Sequence, residues 1–264
     1  MNNIQIARES IRITAEGKYE AGGKTVLLPE QDYTGVTVIT PADGEALLKK
    51  AFPPRETMCE CTVTTESSFG AASRFRNPLV MNYANAHHAG GGFLLGANAQ
   101  EEALCRCSTL YASIKSDKAA EMYRYNNTHL SSTESDYMLL THHVAVFRND
   151  RLELLAEPFP VGVITAPAPN RRGAAVFASS GTIEKTFLRR IRIILRLAAE
   201  NGYRDLILGA WGCGAFGNDP ALVAKAFRTA LNEDGIGTLF DHAVFAIYGS
   251  ETGKNYRAFR DVFS

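Results

Sequence analysis

Residues 206–220, LILGAWGCGAFGNDP, pass from a short apolar run through a glycine-rich turn into the start of a helix. Asp219 has the side chain of a helix N-cap, and Pro220 suits the first helical position, where no backbone donor is needed. The turn Gly212–Gly217 therefore precedes the positive end of a helix, where unpaired N–H groups and the helix dipole attract an anion. A strand feeding a helix through such a turn is the unit of a layered α/β fold, whose ligands lie beyond the carboxyl ends of the strands. Gly212, Gly214 and Gly217 also satisfy G-x-G-x-x-G, the fingerprint of dinucleotide-binding dehydrogenases. In those enzymes the fingerprint opens a βαβ unit closed by an acidic residue, whereas Glu233 and Asp234, at that distance here, end a helix. A tight turn that holds no ligand is the plain alternative.

Outward from this stretch the same alternation recurs. Strands are predicted at Cys59–Thr65, Leu79–Tyr83, His143–Arg148, Val161–Ala166, Asp205–Ala210 and His242–Tyr248. Helices are predicted at Gln100–Lys115, Thr182–Asn201, Pro220–Asn232 and Lys254–Phe263. Some connections are too short for a crossover helix, so the sheet is expected to be mixed. Residues 1–52 read as an accessory extension, with a helix near Ile4–Glu16, an extended piece at Lys24–Leu28 and a helix around Gly44–Ala51 behind Thr40. Residues 53–264 read as the main domain. No Gly/Ser linker separates the two, so one compact unit is expected.

Composition narrows the function. A chain of 264 residues with 45% hydrophobic content buries a full core. Lys plus Arg equals Asp plus Glu at 28 each, so no whole-protein field draws in polyanions, and general nucleic-acid binding is not expected. The N-terminus is charged throughout and no run of 18 apolar residues occurs, so the expectation is a cytoplasmic protein with no membrane partner. Five cysteines are an odd number for a disulfide framework and suit a reducing compartment. Cys59/Cys61 and Cys105/Cys107 are spaced more closely than zinc ligands usually are. The pairs His87–His88 and His142–His143 lack a carboxylate at ligand spacing. No metal and no cofactor is expected.

The second informative stretch is residues 82–102, NYANAHHAGGGFLLGANAQEE. Three consecutive glycines let the backbone approach a ligand closely, and Gln100, Glu101 and Glu102 then open a helix, where carboxylates interact well with the dipole. Both features also have a plain reading, as a flexible loop and as dipole partners. Successive helical residues diverge by about 100°, so Glu101 and Glu102 cannot flank one bond as the two carboxylates of an ordinary glycosidase. One should transfer the proton while the other orients a hydroxyl.

Taken together, GGG followed after seven residues by QEE, and GAWGCGAFGND, resemble the signature and the phosphate loop of poly(ADP-ribose) glycohydrolases. IARESIRITAEGKY near the N-terminus, TVTTES and ITAPAPN are similar to the microbial-type branch, so the resemblance spans essentially the whole chain. It implies a macrodomain-like mixed sheet between helices. ADP-ribose would lie across the two glycine loops, as the product of cutting poly(ADP-ribose) or an ADP-ribosylated protein. It implies that Glu102 is the general acid and then the base, and that Glu101 and Gln100 help hold the substrate. Asn85 would bind the distal ribose. Gly90, Gly91 and Gly92, with Gly212, Cys213, Gly214, Ala215 and Phe216, would surround the diphosphate, and Phe216 would pack on the nucleoside. No metal enters that scheme. Neutral overall charge suits capture of a terminal unit, so exo action by a monomer is expected. Action on mono-ADP-ribosylated protein, nucleic acid or a metabolite, or binding of ADP-ribose without cleavage, are the alternatives.

Overall fold

The computed structural model describes residues 1–264. In chain order the elements are α1 Asn3–Glu16, the hairpin β1 Lys18–Ala21 and β2 Lys24–Leu27, β3 Thr37–Ile39, α2 Pro41–Lys49, β4 Glu60–Thr64, α3 Ser68–Ala72 and β5 Leu79–Ala84. There follow α4 Gln100–Cys107, α5 Leu110–Ile114, α6 Ala120–Thr128, β6 Met138–Arg148, β7 Leu154–Pro167, α7 Ser180–Glu200, β8 Asp205–Leu208, α8 Pro220–Arg228, β9 His242–Ala246 and α9 Lys254–Phe263. Seven strands form one mixed sheet in the order β3-β6-β7-β5-β8-β9-β4. The five from β7 to β4 are parallel to their neighbours, while β6 runs antiparallel to β3 and β7.

The central strands are apolar on both faces because helices cover both. Along β5, Leu79 and Met81 enter the core layer beneath α7, α8 and α9, and Val80 enters the layer beneath α3 to α6. Leu206 and Leu208 against Ile207 in β8, and Ala243 and Phe245 against Val244 in β9, repeat the alternation. The longest helix, α7, is capped by Ser179, whose hydroxyl accepts from Thr182 N–H, and it buries Ile183, Phe187, Ile191, Ile194 and Ala198 at helical spacing. Each of the isoleucines and the phenylalanine is worth roughly 1.5–3 kcal/mol when fully buried.

Several expectations need correction. The helix predicted over Gln100–Lys115 is two helices: Ser108 is extended, bridges Val146, and its hydroxyl donates to Leu104 O while accepting from Leu110 N–H. This side-chain competition with the backbone breaks the helical ladder. The stretch Pro220–Asn232 is α8 followed by a π-helical turn over Thr229–Glu233. β6 and β7 start before their predicted bounds and form a long bulged hairpin. Residues 1–52 contribute β3 to the main sheet, and the buried Arg148 pairs with Glu9 of α1. No helix is long and apolar enough to cross a membrane.

Candidate active site

A cavity of about 630 Å³ opens at the carboxyl ends of β5 and β8, lined by both loops singled out from the sequence. That size suits a dinucleotide-like ligand. Glu102 lines it at the start of α4 and is held at both carboxylate oxygens: Oε1 accepts from Gly92 N–H at 2.9 Å and Oε2 from Ala99 N–H at 2.9 Å. The second bond runs from the N-cap N–H to the carboxylate three residues on, so the ordinary chemistry of a helix start also aims Glu102, although Ala99 has no side chain to return the bond. Gly91 makes the approach possible. Its φ is +53°, and a Cβ there would lie 2.6 Å from Glu102 Oε1.

Glu101 is almost wholly buried. Its Oε2 accepts from Asn85 N–H at 2.8 Å and its Oε1 from Asn82 Nδ2 at 3.3 Å. Desolvation pushes its carboxyl up to about 8, opposed by these hydrogen bonds and reinforced by the neighbouring Glu102. Its contacts are those of a staple between β5, its loop and α4. Asn85 lines the cavity, and its Oδ1 accepts from His87 and His88 N–H, leaving the amide Nδ2 to face a ligand.

On the opposite wall, Trp211 is fully buried and donates Nε1–H to Ala166 O at 3.1 Å, anchoring the second loop. Buried Asn218 donates to Pro169 O at 2.8 Å and Gly212 O at 3.0 Å. The loop is thereby fixed, yet the N–H groups of Gly214, Ala215 and Phe216 have no acceptor in the protein, and all three residues line the cavity. A Cβ on Gly214 would meet nothing within 4 Å. Unpaired backbone donors beside the N-terminus of α8 are what an anion cradle requires.

Several of the candidate site residues make their hydrogen bonds within the protein. Gly91 N–H donates to His88 O and Gly92 N–H to Glu102, so both donors are engaged inside the protein. Gln100 donates Nε2–H to Met81 O and Ser68 Oγ and accepts from Tyr83 N–H, which fastens α4 to β5 and engages the whole amide. Cys213 turns its thiol to Trp211 O and packs on the core, where burial pushes it up to about 12. Two contributors carried no motif. Arg106, buried one turn after Glu102, donates to Ala97 O at 2.6 Å and Asn98 Oδ1 at 2.5 Å. Asn3 of α1 donates to Gly96 O at 3.1 Å. Only the i, i+4 spacing from Glu102 could have pointed to Arg106.

The catalytic-domain model of microbial-type PARG matches residues 7–149. The crystal structure of poly(ADP-ribose) glycohydrolase from Thermomonospora curvata is 35% identical, with a TM-score of 0.91 and 99% of each chain covered. The same organism's enzyme bound to the inhibitor ADP-HPD is 34% identical, with a TM-score of 0.89 and 98% of each chain covered. The poly(ADP-ribose) glycohydrolase from Deinococcus radiodurans in complex with ADP-ribose is 37% identical at a TM-score of 0.80, covering 90% of this chain and 98% of that one. No curated protein matches the chain.

Proposed function

The chain belongs to the microbial-type poly(ADP-ribose) glycohydrolase family, and we propose that Glu102 is the group that moves the proton when the bond between ribose units is cut. The chain acts as a poly(ADP-ribose) glycohydrolase that releases ADP-ribose. The observation that carries the assignment is a cavity lined by both a carboxylate aimed by two backbone donors and three residues whose N–H groups have no acceptor in the protein. With the diphosphate on Gly214, Ala215 and Phe216, the distal ribose lies between that cradle and Glu102, and Asn85 Nδ2 meets its hydroxyls. Phe216 walls the bound nucleotide.

In this mechanism Glu102 gives a proton to the ribose oxygen that leaves. The ribosyl centre develops oxocarbenium character, which the adjacent diphosphate stabilises. The Glu102 carboxylate then takes a proton from the incoming water and returns to its starting state. Glu101 supports the reaction by holding the loop of Asn85. The proposal includes exo action, metal independence, action as a monomer and a cytoplasmic location, the last supported by five unpaired cysteines.

The test is release of free ADP-ribose from automodified poly(ADP-ribosyl) protein by wild type and Glu102→Gln, with ADP-ribose binding measured for both. Wild type is expected to release it, and the variant to bind ADP-ribose without releasing it. Binding by both with release by neither would move the assignment to mono-ADP-ribosyl substrates or to a reader role.

A further inference from the structure

At the carboxyl edge of the sheet the loops follow strand order. The loop after β7 comes first, then those after β5, β8 and β9. Glu102 and the anion cradle belong to the middle two, and the cavity continues on the β9 side to Tyr248 and Asn255. A nucleotide whose nucleoside end occupies that side presents its distal ribose in the opposite direction, toward the loop after β7. In a polymeric substrate the group beyond the bond being cut is a second ADP-ribose unit, with a diphosphate and an adenine of its own.

The loop after β7 is a fixed turn joined to the cradle. Gly173 and Ala175 N–H donate to Asn170 O, Asn170 Oδ1 accepts from Arg172 N–H, and Ala175 is buried in the core. Arg171 N–H donates to Phe216 O at 3.0 Å. The Arg172 side chain crosses Gly217, with Nε 3.0 Å from where a Cβ would stand. Three of the four arginines of α7, Arg189, Arg190 and Arg192, are paired with Glu45, Asp136 or Asp234, whereas Arg171 and Arg172 pair with no carboxylate. Phe177, at the end of the same turn, is 97% exposed. Two unpaired guanidinium groups and an exposed aromatic ring are the donor set that binds phosphodiesters and stacks bases.

We infer that residues 170–178 form a subsite for the leaving ADP-ribose unit, with Arg171 and Arg172 meeting its diphosphate and Phe177 stacking on its adenine. This subsite rests on the glycohydrolase reading above. It supplies a local basic patch on a chain of zero net charge, and it gives polymer an advantage over substrates whose leaving group is small.

The experiment compares two substrates of the same bond type: poly(ADP-ribose), and an ADP-ribose glycoside of a phenol, which lacks the second unit. Phe177→Ser and Arg171→Gln/Arg172→Gln are expected to lower kcat/KM on polymer about tenfold. Hydrolysis of the aryl glycoside is expected to stay within about twofold of wild type. Equal loss on both substrates, or no loss on either, would overturn the subsite while leaving the glycohydrolase reading in place. A wild type that hydrolyses the aryl glycoside but not the polymer would overturn both.

Discussion

The two glycine-rich loops look alike in sequence and do opposite things. The turn containing Gly90–Gly92 faces inward, and the N–H groups of Gly91 and Gly92 end on His88 O and on the Glu102 carboxylate. The turn containing Gly212–Gly217 is pinned through Asn218 and Trp211 and leaves the N–H groups of Gly214, Ala215 and Phe216 facing the cavity. One loop holds the Glu102 carboxylate, and the other keeps backbone donors unpaired. Glycine plays a different part in each: at Gly91 the chain has positive φ against a carboxylate, whereas a Cβ at Gly214 would meet only open space.

Substitutions should separate the two roles. The largest effect is expected for Glu102→Gln, which removes the proton donor and should lower kcat by about 10²–10⁴-fold with ADP-ribose affinity retained. Gly91→Ala forces a methyl into the Glu102 carboxylate at an unfavourable φ. It should cost about 100-fold in kcat with a smaller change in ADP-ribose affinity, measurable by steady-state kinetics alongside calorimetry. Gly214→Ala meets open space in the free protein, so its unfolding free energy should stay within about 0.5 kcal/mol of wild type. Its ADP-ribose affinity should fall about tenfold because the added methyl competes with the diphosphate. A Gly214→Ala variant that binds normally while losing kcat would reverse the assignment of the loops.

The smallest effect concerns stability. Burial raises the Glu101 carboxyl from its usual 4.5 to about 8, so the folded protein holds a proton there that the unfolded chain has released. That contribution is fully present below pH 4.5 and is lost as pH rises toward about 8, on the order of a few kcal/mol in all. Glu101→Gln has no such proton. Urea unfolding at pH 5 and pH 8 should therefore show wild type losing stability relative to the variant, and parallel curves would contradict the raised value.

The parts of this arrangement legible in the sequence are those set by local chemistry. The N-cap Asp219 with Pro220, the apolar strands, and Glu101 and Glu102 at a helix start follow from turn and capping rules acting over a few residues. The rest depends on partners distant in the chain. Whether a glycine N–H meets a ligand or a protein oxygen is decided by what packs against it, and for Gly92 that is a carboxylate ten residues on. Gln100 sits inside the motif yet is engaged by Met81, Tyr83 and Ser68, contacts that exist only once β5, α3 and α4 are assembled. β3 is three residues long and too short for a period to show, and Ser108 breaks a helix through a bridge to Val146 that no local pattern announces.

The division between the loops is tested most directly by amide hydrogen exchange, residue by residue, in the wild-type protein with and without ADP-ribose, the product. In the free protein Gly91 and Gly92 should be protected while Gly214, Ala215 and Phe216 exchange rapidly, and ADP-ribose should slow the second group without changing the first. Protection of Gly214–Phe216 before ligand is added, or ligand-induced slowing confined to Gly91 and Gly92, would contradict it.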